Sequence, residues 1–158
     1  LNKEAMKSQN VVEQINQIIE SIWTLLEREE RELNKFKLNH QQHVLLTLII
    51  REPSSSPSQL AKKMGITKSA VSQQLSRLER EGFTIKKQHT DDKRLFSIEL
   101  GENGLMYKKE LDSFYQQMFD KYYSKLSYEE LSNILASVQK LQGVMRQEST
   151  QDNSETSV

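Results

Sequence analysis

Residues 57–75, PSQLAKKMGITKSAVSQQL, place small, apolar and polar side chains where two short helices joined by a tight turn need them. Ala61 is small where the helices would cross. Gly65 follows Met64 at the point where the chain must leave the first helix through a left-handed residue, a conformation that costs glycine little. Ile66 then plugs the corner. Thr67 is placed to cap the second helix by accepting from a backbone N–H, and Val71 and Leu75 share the face that points back at Leu60, Ala61 and Met64. The other face carries Ser69, Ser72, Gln73 and Ser76, with Lys68 beside them and Arg77 one residue further on. Short hydroxyls, an amide and flanking cations suit a helix that enters a DNA major groove, bonding to base edges and phosphates. The plain alternative is a helix-turn-helix that serves as a scaffold for protein contacts, with a Ser/Gln face that is merely solvated.

The charge pattern favours the nucleic-acid reading. The whole chain has 22 Lys/Arg against 22 Asp/Glu, a net charge of zero that gives no sign of a polyanionic partner. Residues 57–95 alone carry nine Lys/Arg against four Asp/Glu, so the positive charge sits where the motif sits. Screening confines electrostatic attraction to about 8–10 Å at ordinary salt, and a local basic face therefore matters more than the total.

Outward from the motif the periodicity is helical on both sides. Val12, Ile15, Ile19, Ile22 and Leu26 recur at three and four residues, with Ile18 and Trp23 widening the stripe of a long first helix that ends in EREERE, a solvated charge run. Leu38 and Asn39 open a second helix, where Asn39 and Gln42 have capping-box spacing and Val44, Leu45, Leu48 and Ile49 form the buried side. Ser56, Pro57 and Gln59 are a further start signal. After the motif, Leu78 completes the apolar face and Gly82 stops the helix. Residues 83–89 and 95–100 are β-compatible, joined by Thr90, Asp91, Asp92, Lys93 and Arg94, which reads as a hairpin wing. The last third is helical again, first through Leu105, Leu111, Phe114, Tyr115, Met118, Phe119 and Tyr122. A capping box at Ser127 and Glu130 then leads into Leu131, Ile134, Val138, Leu141 and Met145.

The expected fold is mainly α with a small β-hairpin wing (α+β): a winged helix-turn-helix with N- and C-terminal dimerisation helices. The expected divisions are 1–37 for the first dimerisation helix and 38–100 for the DNA-binding lobe with its wing at 83–100. Residues 101–147 then form the C-terminal dimerisation helices and 148–158 a disordered tail. Residues 1–9 are expected to be mobile as well. At 35% hydrophobic residues and a mean hydropathy of −0.71, this chain of 158 residues is poor in apolar surface for a compact monomer. The faces of Val12, Ile15 and Ile19 and of Leu131, Ile134, Val138, Leu141 and Met145 are more seam than a small core covers. They pack against each other within one chain or, the favoured expectation, against a second copy.

With no cysteine, the chain has no disulfide framework, thiol redox sensor or cysteine metal site. No apolar run reaches about 18 residues and LNKEAMKSQN lacks the order of a signal peptide, so a soluble cytoplasmic protein without membrane contact is expected. No enzyme is expected either. His40, His43 and His89 come with no recognisable nucleophile–base set or glycine-rich phosphate loop, and the i, i+3 pair His40/His43 is not expected to hold a metal. No cofactor is implied.

The order of these elements over about 140 residues, from about Val11 to Met145, resembles the multiple-antibiotic-resistance regulator (MarR) family of winged helix-turn-helix transcriptional regulators. The most specific point of likeness is the wing, where that family has Asp-x-Arg, a strand, then Leu-Thr and a glycine. Here the residues are Asp92, Lys93 and Arg94, then LFSIEL and Gly101 to Gly104. The resemblance implies a symmetric homodimer on double-stranded DNA, with Asp92 orienting the wing and Arg94 entering the minor groove, Lys93 beside it. It implies a repressor, released by a small-molecule effector held where the lobes meet. Trp23, Phe36, His43 and Tyr107 are candidates for that site, against the simpler reading that each is ordinary core. Two departures stand out. Gly101 replaces the capping threonine, which predicts a looser helix start. Gln74 stands where many helix-turn-helices are apolar, either at the rim of the core or turned toward phosphate.

Overall fold

The computed structural model describes residues 3–88 and 96–155. The chain divides into two units, residues 1–38 and residues 39–158.

The first unit is α1 (Lys3–Glu29) and the single turn α2 (Arg31–Asn34). Helix α1 starts well before the residue 10 boundary expected from polarity, because 3–9 contain no proline or glycine to stop it. None of its residues is buried.

The second unit begins with α3 (His40–Arg51), whose Asn39/Gln42 capping box forms reciprocally at 2.9 and 3.0 Å. Helix α4 (Pro57–Met64) is opened by the Ser56/Gln59 box with Pro57 in its first turn. It ends in a Schellman motif, with Gly65 at φ 65°, its N–H on the Lys62 carbonyl and the Ile66 N–H on that of Ala61. Helix α5 (Lys68–Arg80) is capped by Thr67, whose hydroxyl accepts from the Ala70 N–H at 3.2 Å. The same terminal motif recurs at Gly82, φ 75°, with Phe83 N–H on the Leu78 carbonyl at 2.8 Å. Leu45, Leu60, Val71 and Leu78 are fully buried between these helices, each apolar at the spacing that faces its neighbours.

Strands β1 (Thr84–Gln88) and β2 (Phe96–Leu100) pair antiparallel, Thr84 opposite Leu100 and Gln88 opposite Phe96. Helix α6 (Glu102–Lys121), a 3-10 turn at Tyr123–Lys125 and α7 (Tyr128–Glu155) complete the chain. Helix α7 continues past the expected end at residue 147, since 148–155 offer no breaking residue.

The start of α6 corrects the expectation of a loose helix end at Gly101. The capping role passes to backbone carbonyls of the α5–β1 corner: Gly82 accepts from the Asn103 N–H at 3.1 Å, and Phe83 accepts from the Gly101 N–H at 2.9 Å. The Asn103 amide adds a bond to the Glu81 carbonyl at 2.7 Å. A β-carbon at Gly101 would stand 2.4 Å from the Gly82 oxygen, and one at Gly104 2.1 Å from the Phe83 oxygen. The glycines let a helix start lie directly on a corner, which a capping threonine side chain would hold off.

Candidate nucleic-acid interface

Helix α5 sorts its side chains by periodicity into two faces. Val71, Leu75 and Leu78 are at most 5% exposed, while Lys68, Ser69, Ser72, Gln73, Ser76 and Arg77 all reach solvent. The face is shallow and concave, lined by Ser72, Gln73, Ser76, Arg77 and Arg80 with Gln74 at its edge. Arg80 was not among the residues expected from sequence, though it follows Arg77 at i+3 and so belongs to the same stripe. Thr67 is exposed at the start of the helix, where its hydroxyl bonds both the Ala70 N–H and, at 3.1 Å, the Ser69 hydroxyl. That pairing orders the first turn.

Not all of the basic charge in this segment is available. Lys86 lies 3.6 Å from Glu79 and over the Phe96 ring at 5.4 Å, and Lys87 lies 3.2 Å from Glu99. Lys63 donates to the Glu52 carboxylate, a bond that holds Glu52 below the usual carboxylate range. Among the described residues Lys68, Arg77 and Arg80 have no carboxylate at ion-pair distance. Lys62 of α4 is likewise outside any of these ion pairs, and the other three lie on α5, the helix that also holds the amide and hydroxyls. Lys86 has a separate effect. It joins the wing base to the C-terminal turn of α5 through Glu79.

Asp92, Lys93 and Arg94 lie outside the described residues. The strands that flank them, β1 and β2, pair antiparallel, as the hairpin reading expects.

Gln74 resolves toward the core rim. Its Nε2 donates to Gln41 Oε1 at 3.2 Å, across 33 residues of sequence. No periodicity points to this contact, because Gln41 sits on the exposed side of α3.

Of the four residues suggested for an effector site, His43 and Tyr107 come together. The Tyr107 hydroxyl is hydrogen-bonded to His43 Nδ1 and the rings meet edge to face, centroids 6.0 Å apart. Tyr107 is 1% exposed. Trp23, which is exposed, and Phe36 belong to the unit of residues 1–38. Among the described residues no group of three metal-ligating side chains gathers, and no helix is long and apolar enough to cross a membrane.

The residues proposed as seam are uncovered in the single chain. Val12, Ile15 and Ile19 are exposed on α1, and Ile134, Val138, Leu141 and Met145 on α7, with Leu131 half-buried.

Residues 38–96, the span from two residues before α3 to the first residue of β2, match the model of the MarR family. The chain is 36% identical over 87 residues to the HTH-type transcriptional repressor YetL of Bacillus subtilis, across 55% of this chain and 47% of that protein. It thus spans about half the length of that relative. It is also 29% identical over 104 residues to the HTH-type transcriptional regulator YwhA of the same organism, across 66% of this chain and 75% of YwhA. Both relatives are named as regulators rather than enzymes. In fold, the chain is similar to Streptococcus pneumoniae FabT, solved in complex with DNA, at a TM-score of 0.64 and 20% identity, over 86% of this chain and 98% of FabT.

Proposed function

We propose, from the match of residues 38–96 to the MarR family model, that the chain is a member of that family and a sequence-specific DNA-binding transcriptional regulator acting as a repressor in the cytoplasm. Two copies bind one inverted-repeat operator, each with α5 in the major groove. Gln73 reads base edges, supported by Ser69, Ser72 and Ser76, while Lys68 and Arg77 position the helix on phosphates. Asp92 shapes the wing, and Arg94 enters the narrow minor groove of A·T-rich flanks, where negative potential is concentrated.

The observation that carries this reading is the exposed face of α5, where Arg77 and Arg80 line one shallow surface with Ser72, Gln73 and Ser76. The name of YetL as a repressor supports the direction of control, and the FabT complex supports DNA as the partner of this fold. Release by a small ligand is part of the proposal, with His43 and Tyr107, which meet within the second unit, as its candidate contacts. A ligand preferring a DNA-incompetent arrangement would weaken operator binding by the same factor that DNA weakens ligand binding.

Selection of bound fragments from genomic DNA tests the proposal. The expected product is an inverted repeat whose half-site centres lie about 10–10.5 base pairs apart, one helical turn. Fragments without a shared sequence, bound with an affinity that salt alone sets, would instead mark the winged helix as a protein-interaction module.

A further inference from the structure

Gln74 occupies the boundary between the two faces of α5, one position from the exposed Gln73 and on the rim of the buried stripe. Its amide reaches across to Gln41 at 3.2 Å. Two polar atoms around it are left unpaired. Gln74 Oε1 is buried with no hydrogen-bond partner among the described residues, and so is Nε2 of the neighbouring Gln42, a residue only 4% exposed. The other end of Gln42 is committed to the α3 capping box, its Oε1 accepting from the Asn39 N–H. A buried donor and a buried acceptor left unpaired destabilise the fold, and an aliphatic side chain at position 74 would remove the acceptor's share. An amide held there at a cost to stability points to a role in orientation.

We infer that Gln74 is a positioning residue, whose bond to Gln41 fixes the rotation of α5 about its own axis relative to α3. The geometry supports this because hydrophobic contacts are non-directional and permit small rotations, whereas a side-chain amide bond fixes one angle. Rotation matters at the face one residue away. Turning α5 carries Gln73 and Arg77 along the groove edge together, so the bond selects which base pair Gln73 addresses. The inference rests on the DNA-binding reading above.

The test compares Gln74→Leu, Gln41→Ala and the double variant with the parent protein, as full chains, on the selected operator, on operators changed at single base pairs and on random duplex. Gln74→Leu is expected to raise the melting temperature yet reduce the preference for the operator over its single-base variants between about twofold and thirtyfold. Gln41→Ala should reproduce that loss of preference, and the double variant should add nothing to it, because one bond is broken in all three. The salt dependence of binding should stay that of the parent, since no phosphate contact is removed. Gln74→Met gives a second aliphatic replacement should Leu fail to fold. Unchanged base preference, additive losses or a reduced salt slope would each overturn the inference, the last two by showing that Gln41 or Gln74 meets DNA directly. If the parent itself fails to tell operator from random duplex, the DNA-binding reading falls and this inference with it.

Discussion

Helix α5 and helix α7 carry the same kind of apolar stripe and meet opposite fates. In α5, Val71 and Leu78 are completely buried and Leu75 nearly so, against Leu60 and Leu45 of neighbouring helices. In α7, Ile134, Val138 and Leu141 repeat at the same spacing and remain 48–58% exposed. Helix α1 is like α7. Amphipathicity establishes that a helix needs a partner surface, and only the fold decides whether the same chain supplies it. The difference divides the molecule into a lobe that completes its own core and terminal helices that are left to find cover elsewhere, as the proposed homodimer provides.

The comparison can be broken first on the exposed side. Leu141→Glu has little to disturb in an isolated chain, yet in a dimer seam it would bury an unpaired carboxylate at a cost of about 3–5 kcal/mol. Sedimentation should show monomers, with operator binding lost although the residue is far along the sequence from α5. Intact dimers would remove α7 from the seam. The same comparison predicts the reverse for Leu78→Ala, which should lower the folding stability of the lobe by about 2–5 kcal/mol in chemical denaturation. It leaves the terminal stripes unchanged.

Within the lobe, surface substitutions sharpen the distinction between holding the fold and reading DNA. Gln73→Ala should leave stability within about 0.5 kcal/mol of the parent. It should cost about 1–3 kcal/mol at particular base pairs of the operator. Equal losses on every sequence would reassign Gln73 to phosphate. Arg94→Ala should likewise spare folding while weakening the operator, less so when G·C pairs replace its A·T flanks and the minor groove widens.

The smallest expected effect lies at the start of α7. Glu130 accepts from the Ser127 backbone N–H at 2.8 Å while the Ser127 hydroxyl accepts from the Glu130 N–H at 3.2 Å. The backbone bond, more than the hydroxyl, holds the Glu130 carboxyl below its ordinary value. A depressed folded value means that this cap contributes fully above the unfolded carboxylate pKa and is lost as pH falls through the folded one. Fraying of α7 in acid, followed by hydrogen exchange of its first turn, should disappear in Glu130→Gln, whose amide keeps the cap at every pH.

Features set by residues close together along the chain are legible in the sequence. The caps at Asn39, Ser56, Thr67 and Ser127 and the helix stops at Gly65 and Gly82 are local chemistry, and each forms as its residue types require. The polar face of α5 is legible for the same reason. Contacts through space are not. Nothing in the sequence announces that the carbonyls of Gly82 and Phe83 would cap α6, or that their approach excludes a β-carbon at Gly101 and Gly104. Gln74 is an anomaly in sequence and acquires meaning only from Gln41, 33 residues away. The pairing of Lys86 and Lys87 with acids is equally hidden, because a charge count cannot tell a free cation from one already engaged.

Counting chains on one operator duplex tests the division between the self-sufficient lobe and the uncovered helices most directly. Sedimentation of the protein with a duplex carrying both half-sites is expected to give two chains per duplex, with Leu141→Glu failing to form that complex at concentrations that saturate the parent. A single chain bound with full affinity to one asymmetric site, and bound equally well by Leu141→Glu, would contradict it.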